Sequence, residues 1–271
     1  QAPGDYLRVV AGTPGLDPTT QATLQGTAAV FDAGTADKNL EANQTGSGIT
    51  PVIGINIHMG DLLNVGLRYE HSTRIELKNE TVVDDVGMFP DGAVSRADLP
   101  AMFALGAQVQ PLEKLTISGN YSYYFDRGAY YGNYETDTYG IPVMAEDGIS
   151  FVQVNNESTI DKNTWELAMS LEYRLKSNFG LSAGYSMGSV GVNDDYQSDL
   201  GFSLNTNTVG GGFFLDIGRV TLNAGLVYVM YQETEVDGSY DIGLSAPVLV
   251  PYTETYMKNT MLAAVGLDFS L

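Results

Sequence analysis

Between Leu63 and Leu77 the chain alternates with period two. Leu63, Val65, Leu67, Tyr69, Ile75 and Leu77 fall on one face, and Asn64, Gly66, Arg68, Glu70, Ser72, Arg74 and Glu76 on the other. On a helix these charges would be smeared around the whole surface. In a strand successive side chains point to opposite faces, so the two sets separate cleanly. This pattern restricts the fold more than any other feature of the sequence.

The split recurs along the chain. Leu115, Ile117, Tyr121, Tyr123 and Phe125 oppose Thr116, Ser118, Asn120, Ser122 and Asp126. Similar alternation runs over 165–174, 181–188 and 222–230, and more weakly over 51–59, 101–109 and 209–217. The last segment, 261–271, alternates to its end, with Phe269 on the apolar side. Nine strands are predicted. Their connections alternate between tight (59–61, 111–114, 175–178, 218–219) and long (78–99, 127–162, 189–201, 232–257). Such sorting suits an outer-membrane barrel, with short periplasmic turns and long extracellular loops. A large soluble β-sandwich would also alternate. In that fold, or in a soluble β-barrel, the apolar face would be the core; strand length and the sorting of the loops weigh against it, and Arg68, Glu70, Arg74 and Glu76 suit a wet lumen.

Composition removes other classes. There are 33 acidic and 13 basic residues, for a net charge of −20, so a basic surface for nucleic-acid phosphates is missing. With no Cys, disulfides and thiol chemistry are impossible, and two His are too few for a His-rich metal site. No cofactor is implied. No run of 18 apolar residues exists, which excludes a spanning helix. The acidic residues concentrate in the long loops, where solvation explains them. The sharper alternative is a Ca²⁺ site, or cation bridging to lipopolysaccharide phosphates, at Asp84-Asp85 or Asp194-Asp195.

The first fifty residues differ. Asp17-Pro18 reads as an N-cap with Pro at the first helical position, and Leu24, Ala28 and Phe31 recur at i, i+4 and i+7 before Gly34. Asp5–Ala11 suggests an earlier helical turn with Leu7 and Val10 apolar. The chain starts at Gln1 without a basic or apolar leader, which points to a removed signal or a longer parent chain.

The order of segments resembles the later part of the FadL family of outer-membrane transporters for long-chain fatty acids and other hydrophobic compounds. The likeness lies in GINIHMGDLLNVGLRYEHSTRIELKN at 54–79, LPAMFALGAQVQPLEKLTISGNYSYYF at 99–125 and TWELAMSLEYRLKSNFGLSAGYSM at 164–187, followed by 208–231 and the closing segment 260–271. Leu99-Pro100 leading into a strand is its most telling element. No single motif is diagnostic; order and spacing carry the match. The resemblance implies an all-β fold, a transmembrane antiparallel up-and-down β-barrel of about fourteen strands when complete. Nine strands would be present here, over 46–271, after a partly helical third-loop-like extracellular segment, 1–45. An odd count leaves an open edge, so a preceding segment or a second chain is expected to close the barrel.

The resemblance also implies passive uptake. Apolar solute first lands in a groove between the third and fourth loops. The expected lining is Leu7, Val10, Leu24, Ala28 and Phe31, faced by Val86, Met88 and Phe89 in 79–98. The same residues would also serve simply to pack the loops together. Lumen Arg68 and Arg74 are placed to meet a carboxylate head group or to pair with Glu70 and Glu76. The expected partners are membrane lipid, lipopolysaccharide and a hydrophobic ligand.

Two other readings stand beside this one. The first is a structural or adhesive barrel whose acidic loops and Tyr123, Tyr124, Tyr130, Tyr131, Tyr134 and Tyr139 bind a protein or polysaccharide. The second is an outer-membrane hydrolase, for which only His58 and His71 offer a base. No Ser–His or Asp–His grouping accompanies either one, so the chain is read as a non-enzyme.

Overall fold

The alternating segments become antiparallel ladders in the computed structural model. It describes all residues except 1–3, 61, 139–140, 198–200, 242–247 and 270–271. In chain order the elements are α1 (Asp5–Ala11), α2 (Pro18–Thr35), β1 (Leu40–Thr45), β2 (Val52–Met59), β3 (Leu63–Glu70), β4 (Glu76–Asp84), β5 (Val94–Arg96), β6 (Met102–Leu112), β7 (Leu115–Tyr124), β8 (Trp165–Lys176), β9 (Phe179–Ser189), β10 (Thr206–Ile217), β11 (Val220–Tyr231), β12 (Thr234–Asp241), β13 (Leu249–Tyr256) and β14 (Asn259–Phe269). The chain divides into two compact units, 1–45 with 78–93 and 46–77 with 94–271.

The second unit is dominated by a nine-stranded sheet in the order β14-β11-β10-β9-β8-β7-β6-β3-β2. Each strand pairs antiparallel with the sheet strand next in sequence, as an up-and-down meander requires. These are the nine segments that the alternation marks. The four tight turns all join strands at one end. Gly60 and Gly218 supply the positive φ values, 61° and 66°, that two of them need. The long connections all lie at the other end. Among the described residues no pairing joins β2 to β14, so the sheet has two open edges.

Register carries the alternation across the sheet. Ile57, Val65, Ala107, Gly119, Met169, Tyr185, Val209, Tyr228 and Met261 form one continuous row. That face is uncovered: Met261 is 70%, Val265 75% and Phe269 68% exposed. The buried apolar residues among those described are Ala11, Ala28, Ala93, Ala129, Leu204 and Tyr256, and none lies in the nine strands. A sandwich places a second sheet about 10 Å away over such a face. Among the described residues no second sheet covers this one, and the nine-stranded sheet leaves that face open. Aromatic residues gather at both ends of the apolar face. Tyr69, Phe103, Tyr123 and Trp165 share a row at the loop end, and Tyr173 and Phe213 share one at the turn end. Trp165 and Tyr173 lie eight residues apart on β8, roughly 27 Å along the strand. At the usual tilt this is about 20 Å of depth, on the scale of an outer-membrane apolar band.

The structure corrects one expected strand. The run from Leu63 to Leu77 is not continuous: β3 ends at Glu70 and β4 begins at Glu76. The break centres on Thr73, which is buried and bridges Leu99. Its hydroxyl donates to the Ile49 carbonyl at 3.2 Å and lies against the Thr50 hydroxyl. A side chain held in this way leaves the ladder, although the polarity of its neighbours still alternates. The loop 232–257 also carries its own hairpin, β12 with β13, with Tyr240 and Tyr252 stacked at 4.2 Å.

In the first unit α1 and α2 pack together, and β1 pairs with β4 from Leu40↔Asp84 to Thr45↔Lys78. The Asp17 carboxylate accepts from the Thr19 and Thr20 N–H groups at 3.0 Å, so the expected N-cap forms. The helix continues one residue past Gly34.

Candidate functional site

The residues expected to form a landing groove all lie in the first unit. Ala28 is 0% exposed, beneath Gly4 in the contact between the helices. A methyl group at Gly4 would collide with the Ala28 carbonyl oxygen, so the approach needs two small residues. Asp32 fastens the same contact, accepting from the Gly4 N–H at 2.7 Å and pairing with Arg8. Leu7, Val10 and Leu24 are half-buried. Phe31, 51% exposed, flanks the stripe Gln21, Leu24, Ala28 and Asp32 that turns toward α1.

The loop after β4 holds the other three. The Asp84 carboxylate accepts from the N–H groups of Gly87, Met88 and Phe89 at 2.7, 3.1 and 2.6 Å. Asp85 accepts from the Asn39 N–H at 3.0 Å. Asp84 is thus used by its own loop and Asp85 by the segment entering β1. Val86 and Met88 stand exposed at its tip, while Phe89 is half-buried. Partial desolvation works to raise the Asp84 carboxyl. The N–H groups of Phe89, Met88, Gly87 and Val86 outweigh it and hold the carboxyl below its ordinary range. Of the other acidic pair, Asp194 opens a short turn, and the side chain of Asp195 lies outside the described residues. No group of three acidic or His side chains that could hold a metal occurs among the described residues.

On the polar face of the sheet Arg68 pairs with Glu70 at 2.6 Å. Arg74 pairs with Glu76 beyond the end of β3. His58 stands opposite Asn64 on that face, and the Nδ1 of His71 meets the Tyr69 hydroxyl at 3.1 Å. The six tyrosines disperse. Tyr123 belongs to the apolar face and Tyr124 faces Glu166 at 3.5 Å. Tyr130 lies under Arg96, Tyr131 bridges Ala97, and Tyr134 meets Phe151 edge-on at 5.3 Å. Tyr139 lies outside the described residues.

No family model and no curated protein matches this sequence. Solved structures do. A Pseudomonas aeruginosa FadL homologue aligns with 80% of this chain and 51% of its own, at 13% identity and a TM-score of 0.51. The fold is FadL-like. The CymD monoaromatic hydrocarbon channel aligns over 80% of this chain and 60% of its own, at 13% identity and TM-score 0.42. The Pseudomonas putida toluene transporter TodX aligns over 81% and 48%, at 15% identity and TM-score 0.41. This chain therefore spans about half the length of the FadL homologue. No helix among the described residues is long and apolar enough to cross a membrane.

The FadL-like sheet also holds a cavity that period-two reading does not find. It measures about 580 Å³ and lies against β8 to β11 and β14. Its wall on the polar face is mostly small, from Ala168, Gly184, Gly210, Gly212, Gly225 and Gly266, with Ser170, Ser182 and Asn223 among them and one charge at Glu172. Phe214 is the large exception, its ring laid over Gly180, where a methyl group would strike it. The Arg174 guanidinium stands 4.9 Å from that ring. In the sequence, its trace is the clustering of Gly at 180, 184, 188, 210, 211, 212 and 225.

Proposed function

We propose that the chain forms most of the wall of a bacterial outer-membrane channel for passive uptake of hydrophobic small molecules such as long-chain fatty acids. One observation carries this: nine strands expose a continuous apolar face, while their opposite face holds the Arg68–Glu70 ion pair and small polar residues. That division matches lipid outside and a wet lumen within. The FadL-like fold supports it. The two open edges would leave backbone groups unpaired in hydrocarbon. We assign their closure to further strands, from a longer chain or a second polypeptide.

Leu7, Val10, Leu24 and Phe31 with Val86, Met88 and Phe89 serve as the landing surface outside the membrane. Ala28 sets the spacing of the two helices. The glycine-walled cavity is the apolar stretch of the path, and lipopolysaccharide surrounds the loop end. Placing a charge on the landing surface tests the assignment. Phe31→Asp or Phe89→Asp is expected to cut uptake of radiolabelled oleate by cells about tenfold, the worth of one buried aromatic contact. Unchanged uptake in both variants, with normal amounts of inserted protein, would remove the landing surface.

A further inference from the structure

At the loop end of the sheet, the apolar face runs one step past its aromatic row. The Phe125 N–H donates to the Ala101 carbonyl at 2.9 Å, and the Phe125 ring meets Tyr123 edge-on at 5.1 Å. His71 follows Tyr69 on the same side, bonded to its hydroxyl. Between these residues and the segments at Arg96 and Tyr130 lies a pocket of about 370 Å³. Tyr69, Leu99 and Phe125 make it apolar, and each is well exposed. His71, Ser72 and Arg96 give it a polar side.

Arg96 is held in place before any ligand arrives. Its Nε donates to Asp98 at 3.1 Å, and its Nη2 reaches the second oxygen of the same carboxylate. Its plane lies 3.8 Å over the Tyr130 ring. The nearly buried Asp98 is fixed in turn by the Ile75 and Tyr130 N–H groups at 3.3 and 3.4 Å. A guanidinium carries five N–H donors. Two go to Asp98, and the rest have no protein partner among the described residues.

We propose that this pocket holds a phosphate monoester of a lipid A headgroup, which a zwitterionic phosphodiester does not replace, with Arg96, His71 and Ser72 on the phosphate and an acyl chain along Tyr69, Leu99 and Phe125. The site rests on the membrane placement proposed above. Two features favour lipid over cargo. Its aromatic walls, Tyr69 and Phe125, continue the apolar face of the sheet, which is the side that meets the bilayer in that placement. A rigid donor fork at the edge of an aromatic belt also sits at headgroup depth and matches phosphate oxygens.

Native mass spectrometry of the full chain, released from detergent micelles with equal diphosphoryl lipid A and phosphatidylcholine, tests it. Lipid A is expected to be retained preferentially. Arg96→Met alone would leave Asp98 unpaired and risks misfolding. The double variant Arg96→Met/Asp98→Asn removes both charges together, and we expect it to lower the lipid A preference about tenfold. Equal retention of the two lipids by the unaltered protein would overturn the proposal, as would a preference surviving in the double variant. Displacement of lipid A by toluene would make this a cargo pocket and overturn it too. Absence of oleate uptake with the lipid preference intact would count against the transport reading alone.

Discussion

The nine-stranded sheet leaves Met261, Val265 and Phe269 open on one face, whereas the α1–α2 pair closes over Ala11 and Ala28. The two regions handle apolar side chains in opposite ways. In the sheet large residues touch only neighbours on their own face, as Tyr121 does Trp165 and Phe179 does Phe213, and in the membrane placement proposed above they take hydrocarbon as solvent, while the ladders satisfy the backbone between the two edges. The helical pair buries mainly small residues. It therefore gains little from area and depends on specific polar contacts, Asp32 with Gly4 and Arg8, and Asp17 with Thr19 and Thr20. The membrane placement proposed above gives the first region to lipid and the second to water.

The largest effect should come from reversing the sheet's two faces at one depth. Met169 and Ser170 are neighbours on β8, and both are well exposed, on opposite faces. Met169→Arg is expected to destabilise the protein in bilayers by about 2–4 kcal/mol, the cost of a guanidinium near the midplane. Ser170→Arg should stay within about 0.5 kcal/mol, as at an ordinary wet surface. Guanidinium unfolding from phospholipid vesicles measures both. Equal costs, or the reverse order, would mean that the faces have been assigned the wrong way round.

The sheet was readable because alternation is a local pattern and register copies it from strand to strand. Leu115–Phe125 and Trp165–Arg174 needed no partner to declare their faces. The split at Thr73 was not readable, since a buried threonine bridging Leu99 and a solvated one look alike in sequence. The packing within the candidate site was not readable for a related reason. Ala28 repeats with Leu24 and Phe31 as a groove residue would, but its role depends on Gly4, more than twenty positions away. The Arg96 pocket joins segments near 70, 98 and 128, and no window contains all three. The glycine wall shows in sequence only as composition.

A middle-sized effect should come from the helical pair. Ala28→Leu adds bulk where Gly4 lies directly on the helix, and overpacking of this kind costs about 1–3 kcal/mol. The cost should be local. Amide exchange across Asp5–Ala11 and Pro18–Thr35 is expected to speed up, while β8 and β9 keep their protection. Loss of protection in the sheet as well would show that the helical unit is not separable from it.

The smallest effect concerns the loop tip that carries Val86 and Met88. Its shape depends on the Asp84 carboxylate being ionised, because an acceptor for the Gly87, Met88 and Phe89 N–H groups is what the turn requires. The carboxyl is held below its ordinary value of 3.8. A depressed folded-state value gives a contribution that is complete above 3.8 and lost as pH falls through the lower folded value. The tip should therefore stay ordered from neutral pH down to about pH 4 and loosen only in stronger acid. Asp84→Ala should loosen it at every pH. Amide exchange at Gly87, Met88 and Phe89 is expected to rise severalfold in that variant, with the nine strands unaffected. The lipid-facing sheet holds its apolar side chains by immersion, but this water-facing tip must hold its own with a charge. A tip that kept its protection in Asp84→Ala would show that apolar packing is sufficient there too, and the contrast between the two regions would lose its sharpest point.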